Sequence, residues 1–212
     1  VTGVQTCPLP ISMRPGANEQ GAWDVGCVPE RLPGYRWVSN AEDRQALETL
    51  WDSSIPDMPG LGLTHIIEGA ASGRVKAMFL IGDSPNLSNG KLGDGLAALD
   101  KLEVLVLSDT FLGAAAQRAD VVLPRATFDE KDGTFTNLER RIQRLKPGSE
   151  LPEGGARPEW RVICDVAHKM GAPGFLLMSP SETMDEIARV APVYAMVSYR
   201  NLANQGGLVF KT

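Results

Sequence analysis

Donors and acceptors are densest in Glu130-Lys-Asp-Gly-Thr-Phe-Thr-Asn137-Leu-Glu-Arg-Arg141, which closely follows Ala119-Asp-Val-Val-Leu-Pro124. The Thr134 hydroxyl, the Asn137 amide and the fixed cations of Arg140 and Arg141 suit a polyanionic, hydrogen-bond-rich ligand such as a nucleotide cofactor. The plainer role is a polar loop whose arginines pair with Glu139 or Glu130, which is worth little energetically. Two other loops carry similar chemistry. In Gly82-Asp83-Ser84-Pro85-Asn86, Gly82 lets backbone approach a ligand, Ser84 and Asn86 can donate, and Asp83 accepts. In Ser108-Asp109-Thr110, a carboxylate suits the N1–H and amino group of a guanine, or a ribose diol. Helix capping is the other role open to Asp109 or Thr110, and one side chain can do both.

The elements around these loops position them. Residues 75–81 and 103–107 are short, near-continuous apolar runs, and 120–123 is a third. A helix is expected over 92–99 and a short alanine-rich one over 111–118. Strand, helix, strand, helix, strand with buried strands implies an α/β fold, a parallel sheet with helices on both faces. Ligands of such sheets sit beyond the carboxyl ends of the strands, where the two loops fall. The N–H groups opening a helix at 111 would suit a phosphate.

Elsewhere, residues 13–38 read as an ordered, Pro- and Gly-punctuated loop on the cofactor side. Asn40 caps a helix to Trp51 with Ala46, Leu47, Leu50 and Trp51 inward. Thr64 opens another with Ile66, Ile67, Ala70 and Ala71 inward, stopped by Gly73. Residues 126–147 read as a loop and a short strand over 141–145. Pro158 opens a helix with Trp160, Val162, Ile163, Val166, Ala167 and Met170 inward, ended by Gly171. Ser179-Pro-Ser-Glu182 is a capping box for a helix to about 190. The domain reading is a leader over 1–12, a cofactor-wrapping loop and helix over 13–62, an α/β dinucleotide-binding unit over 63–150, and a helical extension over 151–212.

The 212 residues are 43% hydrophobic and 22% charged with net charge −5, the profile of a globular chain with a substantial core. No basic stripe points to nucleic acid, and no apolar run is long enough to span a bilayer. Three cysteines without a CxxC, and two histidines, cannot build an iron–sulfur or zinc site. Cys27 and Cys164 read as reduced thiols packed like small apolar residues; His65 and His168 read as structural or exposed, and Tyr35 as packing. Residues 1–12 resemble the translation of a short-read sequencing adapter with one substitution at Pro8, and are set aside.

Six segments in one order resemble the molybdopterin oxidoreductase family, in particular formate dehydrogenase catalytic subunits and the related G subunit of NADH-quinone oxidoreductase. They are the Ala119 and Glu130 segments above, Arg14-Pro-Gly-Ala-Asn18-Glu-Gln20-Gly21-Ala-Trp-Asp24 with its Leu32-Pro-Gly-Tyr35 continuation, Phe79-Leu-Ile-Gly82-Asp83-Ser84-Pro85, Leu105-Val-Leu-Ser108-Asp109-Thr110-Phe111, and Gly155-Ala-Arg157-Pro158-Glu-Trp160. The likeness runs from about residue 14 to about residue 208.

The resemblance implies the central domains of a dimethylsulfoxide reductase or formate dehydrogenase-like fold, truncated on the N-terminal side. It implies a bis-(molybdopterin guanine dinucleotide) cofactor with Mo or W, oxidation of formate to carbon dioxide, and electron transfer to an iron–sulfur cluster in a missing N-terminal region. Arg14 would face the metal and hold the substrate carboxylate, the one catalytic role. Asn18, Gln20 and Gly21 would contact pterin or shape the funnel. Gly82, Asp83, Ser84, Pro85, Ser108, Asp109 and Thr110 would hold the dinucleotide, and Thr134, Asn137, Arg140 and Arg141 would close over it. Expected partners are the missing N- and C-terminal domains of the same polypeptide, electron-transfer subunits and formate, in the cytoplasm or at the cytoplasmic face of a membrane. The fragment alone would be inactive. A complex I scaffold subunit and a stand-alone nucleotide-binding domain are the alternatives.

Overall fold

The computed structural model describes residues 16–82, 94–151, 153–205 and 208–209. The stretch over 13–38 is more ordered than a loop. It contains helix α1 (Glu19–Asp24) and a hairpin of β1 (Arg31–Leu32) and β2 (Arg36–Trp37). Elements this short carry no periodic signal and are held by tertiary contacts. The hairpin turn puts Tyr35 at φ 64, a left-handed conformation that costs a bulky residue about 1 kcal/mol or more. Stacking on Trp23, with ring centroids 6.4 Å apart, and the Arg31 guanidinium 4.5 Å from the Tyr35 ring hold it there.

Helix α2 (Ala41–Trp51) starts where expected. Asn40 Oδ1 accepts from the Glu42 and Asp43 N–H groups at 3.0 and 3.4 Å. Its inward face is narrower than the sequence suggests: Leu47 is buried, but Leu50 and Trp51 are exposed. The Trp51 indole N–H instead donates to Glu186 at 3.1 Å. Helix α3 (Leu63–Ala71) buries Ile67 and Ala70 while Ala71 faces out, and Gly73 at φ 75 turns the chain out of it.

The parallel sheet follows, in the order β3 (Ala77–Ile81), β4 (Val104–Asp109), β5 (Val121–Pro124). Helix α4 (Gly95–Leu99) lies between β3 and β4, its start capped by Asp94 accepting from the Ala97 N–H at 3.0 Å. The helix expected over 111–118 is absent. That stretch is a series of turns with Ala116 N–H on Gly113 O and Arg118 N–H on Ala115 O, both 3.1 Å. Ala115 is buried against the sheet, but Phe111 and Leu112 are exposed and Gly113 follows them, so the segment lacks a continuous buried stripe and the propensity to propagate a helix. No helix N-terminus therefore stands behind Ser108-Asp109-Thr110.

In-register neighbours of a parallel sheet share a face. Met78, Leu80, Leu105 and Leu107 face α3, α4 and Ala115 in packed clusters. The opposite face carries Phe79, Ile81, Val104 and Val121, which are 40%, 43%, 47% and 46% exposed.

Residues 126–147 form more than one strand. After a 3₁₀ turn (Phe128–Glu130), β6 (Gly133–Thr136) pairs antiparallel with β7 (Arg141–Leu145), and β7 pairs with β8 (Leu208–Val209). Helix α5 (Glu159–Lys169) starts after Pro158 and ends before Gly171 at φ 76. It buries Val162 and Cys164, whereas Ile163 and Met170 are exposed. Helix α6 (Pro180–Val190) is capped by Ser179 Oγ accepting from Glu182 N–H at 3.3 Å. A 3₁₀ turn (Pro192–Tyr194) and α7 (Tyr199–Gln205) complete the helical part of the chain. The largest core cluster joins distant segments: Leu32, Val38 and Leu47 from the N-terminal part, Ile142 of β7, and Met184, Tyr194 and Leu202.

Candidate functional site

Two groups of polar residues stand out, one at the carboxyl edge of the parallel sheet and one where α1 meets the β6–β7 turn. At the sheet edge, β3 ends in Gly82 at φ 80, whose N–H donates to Ser108 O at 2.8 Å. Ser108 is 1% exposed, and its hydroxyl has no hydrogen-bond partner among the described residues. The Thr110 N–H donates to Asp109 Oδ1 at 2.6 Å. Beside them stands Arg125, one residue beyond β5, with its backbone N–H on Asp109 O at 3.0 Å. Its guanidinium lies against Gly82: a Cβ built there would sit 2.8 Å from Arg125 Nη1. Arg125 Nε donates to Glu159 Oε1 at 2.6 Å, and Lys131 Nζ reaches both Glu159 oxygens at 2.6 Å. Burial pushes the Glu159 carboxyl up, but Lys131 and Arg125 outweigh it and hold the group below the usual carboxylate range.

The second group is a corner built on Asp24, which is 1% exposed. Its carboxylate accepts from Gln20 Nε2 at 2.8 Å, from the Tyr194 hydroxyl at 3.2 Å and from the Arg140 guanidinium. Arg140 sits at φ 60, another non-glycine residue in the left-handed region. Asn18 Oδ1 accepts from the Thr136 N–H at 2.8 Å, tying α1 to β6. Gly21 makes room for this, since a Cβ there would fall 2.3 Å from Asn18 Oδ1 and 3.1 Å from Thr136 Oγ1. Asn137 closes the turn on itself, donating its N–H to Arg141 O at 3.0 Å and accepting from Arg141 N–H at 2.9 Å. Thr134 is paired opposite Arg144 in the hairpin, and Arg141 pairs loosely with Glu139 at 3.7 Å. Burial pushes the Tyr194 hydroxyl far up, so it stays a protonated donor to Asp24.

The structure thus gathers Gly82, Ser108, Asp109 and Thr110 at one place, and Asn18, Gln20, Gly21, Asn137 and Arg140 at another. Arg14, Asp83, Ser84 and Pro85 lie outside the described residues. Sequence reasoning missed Arg125, Glu159 and Lys131 at the edge, and Asp24, Thr136 and Tyr194 at the corner. Arg125 could have been noticed as the charge directly after a buried strand. Nothing local marks Asp24 or Tyr194 as partners. Cys27, expected to pack, is exposed, whereas Cys164 is buried as expected. His65 and His168 are both exposed.

An open cavity of about 440 Å³ lies between β5 and α5, lined mainly by apolar atoms of Leu123, Pro124, Val162, Val166 and Met170, with Arg157 and Asp165 also on its walls. It contains none of the residues of either group. Among the described residues no cluster of three or more His, Cys, Asp or Glu could hold a metal ion, and no helix is long and apolar enough to cross a membrane.

A buried hydroxyl and guanidinium nitrogens without a partner among the described residues, beside a left-handed glycine at a parallel-sheet edge, are groups that could donate to a nucleotide's phosphates. The corner fits a nucleotide less well, because its polar atoms largely satisfy each other.

A family model described as molybdopterin oxidoreductase matches residues 14–169. The chain is 43% identical over 191 residues to a Bacillus subtilis (strain 168) protein named "Probable oxidoreductase YjgC", covering 90% of the chain and 19% of that relative. It is 40% identical over 191 residues to the "F420-dependent formate dehydrogenase 2 subunit alpha" of Methanococcus maripaludis, covering 89% of the chain and 28% of that relative. The chain therefore spans less than a third of the length of these two relatives. Among solved structures it resembles the acetylene hydratase of Pelobacter acetylenicus, with TM-score 0.59 and 18% identity, over 92% of the chain and 25% of that protein. That likeness establishes the fold: mixed α/β, with a parallel sheet and helices. With its sheet, its strand-edge loops and the corner segment all inside the matched region, the chain belongs to the molybdopterin oxidoreductase family.

Proposed function

We propose that this chain is the cofactor-binding part of a formate dehydrogenase catalytic subunit, holding one nucleotide arm of a bis-(molybdopterin guanine dinucleotide). The observation that carries the reading is the sheet edge, where Gly82, Ser108, Asp109 and Arg125 converge and the Ser108 hydroxyl has no partner among the described residues. Asp109 would accept from a guanine or ribose, and Ser108 and Arg125 would donate to phosphate oxygens. The bound group would supply two-electron redox chemistry at molybdenum or tungsten. Formate would lose two electrons and a proton to become carbon dioxide, the electrons leaving for an iron–sulfur cluster elsewhere in the polypeptide. Arg14 would hold the formate carboxylate in two bonds and keep its own proton throughout. The corner would keep α1, and with it the segment after Arg14, in register with the β6–β7 turn.

The exposed apolar sheet face supports the partner reading. Parallel sheets are covered on both faces, so Phe79, Ile81, Val104 and Val121 would pack against further N- or C-terminal domains of the same polypeptide. The same face argues against a stand-alone nucleotide-binding domain. Electron-transfer subunits would complete the assembly, in the cytoplasm or at the cytoplasmic face of a membrane. A second reading, the G subunit of NADH-quinone oxidoreductase, draws support from the corner, whose mutually bonded side chains would serve a scaffold that holds no cofactor.

Metal and pterin analysis of the full-length polypeptide separates the two. Molybdenum or tungsten with a guanine-bearing pterin is expected for the enzyme, and neither for the scaffold. In the enzyme, Arg14→Lys is expected to lower formate turnover by about 100-fold or more with cofactor content unchanged, because a point charge replaces a fork. Wild-type turnover would remove Arg14 from the site.

A further inference from the structure

We infer that the β1–β2 hairpin is the docking site of a separate, acidic protein partner, whose carboxylate is received by the Arg31 guanidinium between the rings of Tyr35 and Trp37. The site shares no residue with the sheet edge or with the Asp24 corner, and it stands whether or not the chain holds a cofactor.

Arg31 is a partly buried cation without a counter-charge. Its Nη1 donates to Tyr35 O at 3.1 Å, its Nε is buried with no acceptor, and it makes no ion pair among the described residues. The Asp43 carboxylate is turned to Arg36, at 3.9 Å. What surrounds Arg31 is aromatic: its Cζ lies 3.2 Å from the centre of the Trp37 ring and 4.5 Å from that of Tyr35. Ring contacts engage the faces of a guanidinium and leave its in-plane terminal N–H groups for an acceptor. A carboxylate at those terminal nitrogens offsets the charge that the sealed Nε leaves under-solvated.

The hairpin is built to present these groups. Its register sets Arg31 directly opposite Trp37, and its turn holds Tyr35 at φ 64. Both rings stay in solvent, Tyr35 38% and Trp37 50% exposed. A bulky residue in the left-handed region is unfavourable, and leaving its ring wet returns little of that cost. Packing alone accounts for neither. Arginine, tyrosine and tryptophan are also the residue types that dominate binding energy at protein interfaces.

The chemistry of the surface points to a partner that comes and goes. The open sheet face offers only hydrocarbon, from Phe79, Ile81, Val104 and Val121, which suits permanent burial. The hairpin instead carries a cation that is unfavourable to bury unmatched. An unmatched cation between exposed rings attracts an acidic protein from solution and gives the encounter its orientation.

Hydroxyl-radical footprinting of the full-length polypeptide, read at Trp37 by mass spectrometry, tests this with a capped pentapeptide of four glutamates around one phenylalanine. Trp37 is expected to be oxidised in the free polypeptide and protected saturably by the peptide. Added salt should weaken that protection, and the lysine counterpart of the peptide should give none. Anisotropy of the fluorophore-labelled peptide should show affinity about fivefold or more lower in Arg31→Met and partly recovered in Arg31→Lys, which keeps the charge but not the fork. Wild-type affinity in Arg31→Met would overturn the site, as would a wild type that does not bind the peptide. If Arg31→Met does not fold, Trp37→Ala decides: affinity about threefold lower is expected, and unchanged affinity overturns the site. Trp37 protected without any peptide would mean that the polypeptide covers the hairpin itself, and removes the separate partner. Oligothymidylate protecting Trp37 as well as the peptide does would replace the acidic protein with nucleic acid, and overturns the inference too.

Discussion

The sheet edge and the α1 corner are both rich in polar side chains, yet they use them in opposite ways. At the corner, Asp24 takes three donors, Asn18 bonds Thr136, and Asn137 bonds Arg141. Most of its hydrogen-bonding capacity is spent inside the chain, with Arg140 Nε the buried exception. At the edge, Ser108 Oγ and the terminal nitrogens of Arg125 remain available among the described residues. The difference separates side chains whose hydrogen bonds are met within the chain from those whose bonds are not met among the described residues, and density of donors alone does not reveal it. The corner drew attention in the sequence for its Thr, Asn and Arg content, but much of that content serves to fasten α1 to a hairpin.

Changes at the corner are therefore expected to act on stability, and changes at the edge on ligand binding. The largest loss is expected for Asp24→Ala. It leaves the Arg140 guanidinium and the Tyr194 hydroxyl without their buried acceptor and should cost about 3 kcal/mol in chemical denaturation. A loss below about 1 kcal/mol would mean that the corner is not held by this carboxylate. Gly21→Ala comes next. The new methyl group displaces Asn18 Oδ1 from the Thr136 N–H, for about 1–2 kcal/mol in the same assay.

Glu159→Gln should cost about 1 kcal/mol near neutral pH, since its two ion pairs are partly exposed. Its sign with pH is definite. The folded carboxyl lies below its ordinary 4.5, so its contribution is present above 4.5 and is lost as pH falls through the folded value. Wild-type and Glu159→Gln stability curves should therefore converge in acid, and parallel curves would show that the ion pairs contribute nothing. The smallest effect is expected for Arg141→Ala. Its 3.7 Å pair with an exposed Glu139 is worth no more than about 0.5 kcal/mol, so a large loss of stability would place Arg141 inside the scaffold.

What was readable in advance was local. Asn40, Ser179 and Pro158 marked helix starts because capping involves residues within one turn of each other. The three strands of the parallel sheet were visible as short apolar runs bounded by glycine, charge and proline. The failures were also physical. The alanine-rich 111–118 stretch has composition suited to a helix, but it buries Ala115 against the sheet while leaving Phe111 and Leu112 exposed, so no continuous apolar stripe forms. The β6–β7 pairing left no alternation strong enough to see over so few residues. The hairpin after α1 depends on a left-handed Tyr35 that no propensity favours.

By itself the sequence determined the fold class, the strands of the parallel sheet and the family, since each follows from short-range patterning and from motifs met in order. It also placed Ser108 and Asp109 at a strand end. Only the tertiary structure decided which polar groups were already spent. Asp24 meets Arg140 across 116 positions and Tyr194 across 170, and Asn18 meets Thr136 across 118. Arg125 reaches Glu159 across 34 and comes to lie on Gly82 only because β3, β4 and β5 stack side by side. Hydrogen-bond satisfaction depends on neighbours in space, and a linear pattern of residue types contains the donors and acceptors without saying which of them have found each other.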